Sequence, residues 1–287
     1  AGRLGLEHDP FYIYGQHAKP LNFTAPSLTL TGGMDRKRLA ERKVFLEAIN
    51  NARRAADIDP AIANYTRQQQ KAFDLLSSTE TAGAFDIASE PKKVRERYGE
   101  NLNGMSMLMA RRLVEAGVPF VTVFWKVDGI DSKLAKKCRS AGGWDTHGNN
   151  FNCLKTDLLP RFDQCYSALL EDLAQRGLLD STLVMLTSEM GRKPKIGDPR
   201  SGGTTGGGRD HWTACQSVVL AGGGIRGGQT YGKTDEFAEY PVEKIMGPEN
   251  IAHTVYHAMG IDDLTATDDA GRLFNIVEKG RPLTELF

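Results

Sequence analysis

Three separated stretches of the chain hold acid and imidazole side chains at spacings that suit a shared ligand. "GGWDTHGNN" places Asp145 and His147 two positions apart in a glycine-bracketed run, "LTSEMGRKPK" contributes Glu189, and "GRDHW" contributes Asp210 and His211. Carboxylate oxygens hold hard divalent cations, and imidazole nitrogens suit zinc, manganese or iron. Each residue also has a plain alternative. Asp145 could close an Asx-turn, His147 could cap the following helix, and Asp210 and His211 could be an ordinary loop pair beside Trp212.

The elements that would carry these residues tip the balance. "VPFVTVFW" (118–125), "STLVMLTS" (181–188) and "QSVVLAG" (216–222) are continuous apolar runs of the kind found in strands buried in a parallel sheet. Between the first two lies a helical pattern from Phe151 to Arg176, which Pro160 should kink or restart. A further helix is expected from Pro248 to Gly260. Strands alternating with helices give an α/β layer architecture. In open α/β sheets, ligands sit outside the carboxyl ends of the strands. The first run ends near Trp125 and, after a polar insertion, delivers Asp145 and His147. The second ends at Glu189, and Asp210 and His211 immediately precede the third. This convergence predicts a metal site built from Asp145, His147, Glu189, Asp210 and His211, with side-chain tips about 4–8 Å apart.

Upstream, residues 1–34 read as an irregular head punctuated by Pro10, Pro20 and Pro26, and residues 35–287 as a single domain. Within it, 35–117 form a mainly helical cover and 118–287 the sheet and site. Helices are expected over 35–56 and 60–76, over "SEPKKVRERYG" ending at Gly99, and over "NLNGMSMLMARRLVEAG" ending at Gly117.

Other patterns carry less. His253 and His257 are spaced as a helical zinc pair, but no Glu adjoins His253 and that helix needs a packing face. "AGGGIRGG" satisfies a dinucleotide-binding spacing formally, yet no helix follows it, so tight turns are expected. "GGTTGGGRD" lacks the Gly-Lys-Ser/Thr ending of a phosphate loop. Cys138, Cys153, Cys165 and Cys215 have no C-x-x-C spacing, so a cysteine zinc site is not expected. Four reduced thiols is the plain reading; in an exported protein, Cys138 and Cys153 could staple the loop they bracket.

The balance of the 287 residues sets the outer bounds. Lys and Arg number 36 and Asp and Glu 36, which gives no footprint for nucleic acid or an anionic membrane. No apolar run is long enough to span a bilayer. The opening "AGRLGLEHDPFYIYGQ" forms no signal peptide and lacks a starting methionine, as a fragment would.

Taken in order, "GGWDTHGNNF", "RGLLDSTLVMLTSEMGRKPK", "GRDHW", "SVVLAGGGIRGGQTYG", "NIAHTVYHAMGID" and "GRPLTELF" resemble the domain-of-unknown-function 1501 proteins. The likeness extends over nearly the whole chain from about Leu39. That family is grouped with the alkaline phosphatase and sulfatase superfamily. The resemblance implies an alkaline-phosphatase-like α/β fold with a mostly parallel sheet flanked by helices, here missing its first strand. It implies export, often by the twin-arginine route, and a periplasmic or secreted location for the full-length protein. It also implies hydrolysis of a phosphate or sulfate ester assisted by a divalent metal (zinc, calcium or manganese), acting on a small anionic ester or a sulfated or phosphorylated glycan. Asp145 and His147 would stand for the Asp/His ligands, and His211, with Asp210, for the late histidine. Met190 falls where a ligand is expected after Glu189, and Arg192 would neutralise an anionic substrate oxygen. The superfamily's nucleophile sits near an early strand, and no Ser, Thr or Cys of this chain takes its place. Metal binding without ester turnover is therefore the expectation for this stretch alone. The rival reading is a non-catalytic exported protein that keeps one structural metal and recognises a glycan or a partner protein.

Overall fold

Pro91, with its fixed backbone, precedes the first turn of α1 (Lys92–Tyr98), which stops at Gly99 with φ of 78°. Asn101 then caps α2 (Leu102–Glu115): its side chain accepts hydrogen bonds from the Asn103 and Gly104 amides at 3.1 Å. α1 and α2 pack closely because Gly104 has no side chain; a Cβ there would lie 2.2 Å from the Tyr98 carbonyl. Downstream come α3 (Lys133–Cys138), α4 (Asn150–Cys153), α5 (Leu159–Gln175) and α6 (Pro248–Ala258). These elements belong to a computed structural model that describes residues 9–25, 37–38, 41, 44, 83–138, 142–197, 207–268 and 270–287. The helices expected over 35–56 and 60–76 fall almost wholly outside the described residues.

The largest buried cluster sits between α2 and α5. Tyr98, Met105, Leu108, Met109 and Leu113 meet Cys165, Ala168, Leu169 and Leu173, with Ile87 beneath them. Residues 84–113 thus supply one side of this core and α5 the other. α4 and α5 form the long helical stretch anticipated across Pro160, joined by a π-helical turn at Leu154–Leu158. Pro160 has no N–H to give to the preceding turn, so the ladder widens there without breaking.

Strands pair only two by two. β1 (Tyr14–Gln16) pairs with β2 (Lys19–Thr24), β3 (Val184–Leu186) with β6 (Val219–Ala221), and β4 (Gly191–Arg192) with β5 (His211–Trp212). β7 (Lys233–Thr234) pairs with β8 (Pro241–Glu243), and β9 (Thr265–Thr267) with β10 (Leu273–Asn275). All five pairs are antiparallel.

This corrects the expected architecture. Among the described residues there is no extended parallel sheet flanked by helices, so the alkaline-phosphatase-like fold, with or without its first strand, is not what the chain forms. Two of the apolar runs do become strands, β3 and β6, but they pair with each other antiparallel and leave Met185 and Val219 exposed. The third, 118–125, is extended and joins no ladder; residues 120–125 make no backbone hydrogen bond among the described residues. Val118, Val121 and Trp125 pack on the helical core while Phe120 and Phe124 face solvent, Phe124 at 81% exposure. An apolar run needs a partner for its side chains, and here helices supply it on one face. Periodicity reports that burial and says nothing of the neighbour.

Candidate metal centre

The loop that carries Asp145 and His147 is held at both ends. Cys138 at the end of α3 and Cys153 at the end of α4 form a disulfide, with Cα atoms 5.9 Å apart. Both are buried in a small second core with Leu134 and Leu158, against which Trp144 and Leu154 pack. This corrects the plain reading of four reduced thiols: the alternative pairing of Cys138 with Cys153 is the one the structure forms. Cys165 and Cys215 are free, the first buried in the main core.

Inside the staple, "GGW" sets the height of the loop. Gly142 has φ of 90°, and a Cβ there would come within 2.8 Å of the Gly129 carbonyl. A Cβ on Gly143 would meet a Val127 methyl at 2.5 Å. These two glycines let the chain lie against residues 127–129. Trp144 then packs its indole against both Trp125 and Phe162, with ring centroids 5.5 and 6.0 Å away. Thr146 is fully buried and its hydroxyl accepts from the Asn150 amide at 2.5 Å. With Trp144 and Thr146 turned inward, Asp145 and His147 point the other way, to the surface.

β4 and β5 bring the remaining residues. Arg192 lies opposite His211 in the ladder, and Gly191 is the one residue type that fits beside the Cys215 carbonyl, 1.9 Å from where a Cβ would stand. Trp212 anchors the far side: its indole N–H donates to the Glu239 carbonyl at 2.7 Å. Arg209 donates to the Lys193 and Arg192 carbonyls at 2.7 and 3.0 Å and lies over the Phe151 ring, tying the "GRDHW" strand to β4 and to α4.

Asp145 Oδ1 is the focus. His147 Nε2 and His211 Nε2 each stand 2.8 Å from it, and Arg192 Nη2 3.1 Å. The His147 and His211 rings lie 4.9 Å apart. One ligand atom from each of Asp145, His147 and His211 falls within 4.8 Å of the others, a group that could hold a metal ion. Partial burial opposes ionisation of the Asp145 carboxyl, but the His211 hydrogen bond, the His147 ring and Arg192 outweigh it and hold the carboxyl below its ordinary range. Acid and imidazole from separate segments, gathered with their ligand atoms inward, can bind a divalent cation.

The other expected site residues divide. Asp210 lies at the rim: its Oδ1 accepts from the His211 amide at 2.8 Å and is 4.0 Å from His147 Nδ1. That Nδ1 is buried and has no hydrogen-bond partner among the described residues. Glu189 is exposed, outside the group of three, with no hydrogen bond or ion pair among the described residues. Arg192 does not pair with Glu189. It spends its guanidinium on the Trp144 carbonyl at 2.7 Å, the Arg209 carbonyl at 3.0 Å and Asp145. Trp144, Gly142, Gly143 and Arg209 were not singled out in the sequence. The signal for the first three was a bulky aromatic between two glycines and an acid; Arg209 carried none.

Elsewhere, His253 engages the Lys279 carbonyl at 3.1 Å and His257 engages Asp262 at 2.8 Å, so the helical pair serves two different neighbours. Gly222, Gly223 and Gly224 all have positive φ and form the tight turn expected after β6. No helix among the described residues is long and apolar enough to cross a membrane.

No curated protein and no solved structure matches the chain. The family model described as "Protein of unknown function (DUF1501)" matches residues 1–287, the stretches around the Asp145, His147 and His211 centre included, and the chain belongs to that family.

Proposed function

We propose that Asp145, His147 and His211 hold a divalent metal and that the chain uses it to hydrolyse a phosphate or sulfate ester. The observation that carries this reading is the gathering of one carboxylate oxygen and two imidazole nitrogens within 4.8 Å at an accessible surface. Three protein ligands with a side left open is the pattern of catalytic metal sites, whereas structural ones are closed by a fourth. The donor set favours zinc or manganese over calcium, which takes about six to eight oxygens. The buried His147 Nδ1, without a hydrogen-bond partner among the described residues, fits the same reading: with Nε2 committed to a metal, Nδ1 would carry the proton, and Asp210, 4.0 Å away, is a carboxylate that a small shift would bring into hydrogen-bond range.

A divalent metal at this point would polarise an ester oxygen and lower the pKa of water. The chain's own residues do the rest. Arg192 holds the Trp144 carbonyl and Asp145 in place, and the β4–β5 ladder sets His211 against them. Arg192 and Arg209 give the rim the positive charge that suits an anionic ester, whether a small molecule or a sulfated or phosphorylated glycan. Thr146, the hydroxyl between the two loop ligands, is buried and bonded to Asn150, so it is no nucleophile. Water fills that role in our reading, and water requires no residue from outside this chain. Ester turnover by the chain itself is then expected, a change from what its sequence suggested.

The test is metal titration of the chelator-stripped protein by calorimetry, followed by assays on p-nitrophenyl phosphate and p-nitrophenyl sulfate. One zinc or manganese per chain and metal-dependent turnover, both lost in His211→Ala, are the expected results. Metal uptake with no turnover on either ester would favour the non-catalytic binding reading, with export and partner still to be addressed. No metal uptake at all would overturn the site.

A further inference from the structure

The two loop ligands are held in a covalent ring and the third is not. Asp145 and His147 lie between Cys138 and Cys153, whereas His211 sits on β5, fixed by its ladder with β4. A metal bound by all three therefore joins the stapled loop to the ladder. We infer that Cys138 and Cys153 are positioning residues of this centre: the disulfide sets its metal affinity, and metal loading in turn protects the disulfide. The inference rests on the reading that the three residues bind a metal.

Weak non-covalent ties between the ends of the loop make the bond matter. α3 has 6 residues, too short to persist without packing, whereas α4 is the first turn of the long helix that continues into α5, so the weakly held end is the α3 side. The direct hydrogen bonds between the end of α3 and the loop's far arm are long: Gly148 N to the Cys138 carbonyl at 3.4 Å and Asn149 Nδ2 to the Lys137 carbonyl at 3.3 Å. The firmer contact, Lys137 with Asp157 at 2.6 Å, lies on the surface beyond the loop, where an ion pair contributes little. The small core that buries Cys138 and Cys153 includes Trp144, the residue next to Asp145. Opening the disulfide would free the loop ends, and Trp144 would keep Trp125 and Phe162 but lose the small cluster on its other side. Metal binding would then have to close the loop as well as fill the site, a cost the oxidised chain has already met.

Linkage makes the effect reciprocal: whatever factor oxidation adds to metal affinity, metal adds to the stability of the disulfide. Both sulfurs are buried, so a reductant reaches them only when the loop opens, and a metal that holds the loop shut slows that opening. The chain would thus become metal-competent where disulfides form, in an oxidising compartment.

Zinc affinity by chelator competition provides the test, with the wild type beside the double variant Cys138→Ser/Cys153→Ser. We expect the double variant to bind about 10-fold more weakly or worse, and Cys165→Ala, which alters a free buried thiol, to match the wild type. Should the double variant fail to fold, reduction of the wild type decides. A water-soluble phosphine and one water convert the disulfide to two thiols and a phosphine oxide, and alkylation with mass spectrometry counts the thiols. Saturating zinc, in excess over the phosphine, should slow their appearance about 10-fold. Equal zinc affinity in the double variant, or equal reduction rates with and without zinc, overturns the coupling. No zinc uptake by the wild type defeats the metal site itself, a different failure.

Discussion

Asp210 and Glu189 are the same kind of side chain in the same kind of loop, yet they differ in what they can reach. Asp210 is 4.0 Å from the unpartnered His147 Nδ1, and Glu189 touches none of the three gathered residues. An acceptor behind a ligating imidazole fixes its tautomer and orientation. Asp210→Ala should therefore weaken zinc binding roughly 10-fold, read by chelator competition, while Glu189→Ala should stay within about 2-fold of the wild type. An equal loss in both variants would place Glu189 on the metal. Residue types and their neighbours in sequence were enough to single out Asp145, His147 and His211. They could not separate these three from Asp210 and Glu189, because that distinction is a matter of a few ångströms between segments far apart in the chain. Arg192 shows the same limit. The resemblance implied a substrate contact for it, and its partners in the structure are two carbonyls and the Asp145 carboxylate.

Helices in this chain announce themselves through their ends: Asn101 as a cap, Pro248 in a first turn, Gly99 as a stop. Strands do not, since the same apolar run can be sheathed by helices or by other strands, and only the fold decides. The loop with the site lies between these cases. Its glycines were visible as turn formers, but Gly142 has a narrower task, turning at φ of 90° against the Gly129 backbone. Gly142→Ala should cost about 1–3 kcal/mol of unfolding free energy, measured by urea denaturation, and should weaken zinc binding with it. A stable variant with unchanged zinc affinity would show that the loop does not depend on this approach.

At the scale of the molecule, a charged network runs through the helical core. Arg111, 1% exposed, donates to Glu90 at 2.7 Å and to Glu115 at 2.6 Å, and its Nε stands 2.9 Å from Asp172 without the alignment of a hydrogen bond. Tyr98 and Arg176 complete Asp172 with hydrogen bonds of 3.0 and 2.9 Å, and Arg112 also contacts Glu90. Removing one member of such a network strands a buried charge, so Arg111→Met should cost about 3–5 kcal/mol. The same network ties stability to acid. Burial opposes ionisation of Glu90 and Asp172, but the Arg111 and Arg112 contacts on Glu90, and those of Arg176, Arg111 and Tyr98 on Asp172, hold both carboxyls below their ordinary range. Their stabilisation is present in full above about pH 4, the unfolded range, and is lost as pH falls through the lower folded values. The melting temperature should be insensitive to these groups near neutral pH and fall steeply below about pH 4. In Arg111→Met that acid slope should be shallower. An unchanged slope would show that the acid sensitivity arises elsewhere.

The extended run beneath Phe120 and Phe124 has a kinetic signature. Its amides from Phe120 to Trp125 have no acceptor among the described residues, while α2, immediately before it, is hydrogen-bonded throughout its length and buried over most of its surface. In deuterated water those amides should exchange almost as fast as in an unstructured peptide, next to a helix so largely buried that it exchanges only with global opening. An apolar segment that takes up deuterium at once would be an unusual trace in a peptide map, and slow uptake there would mean that another strand lies against it in solution.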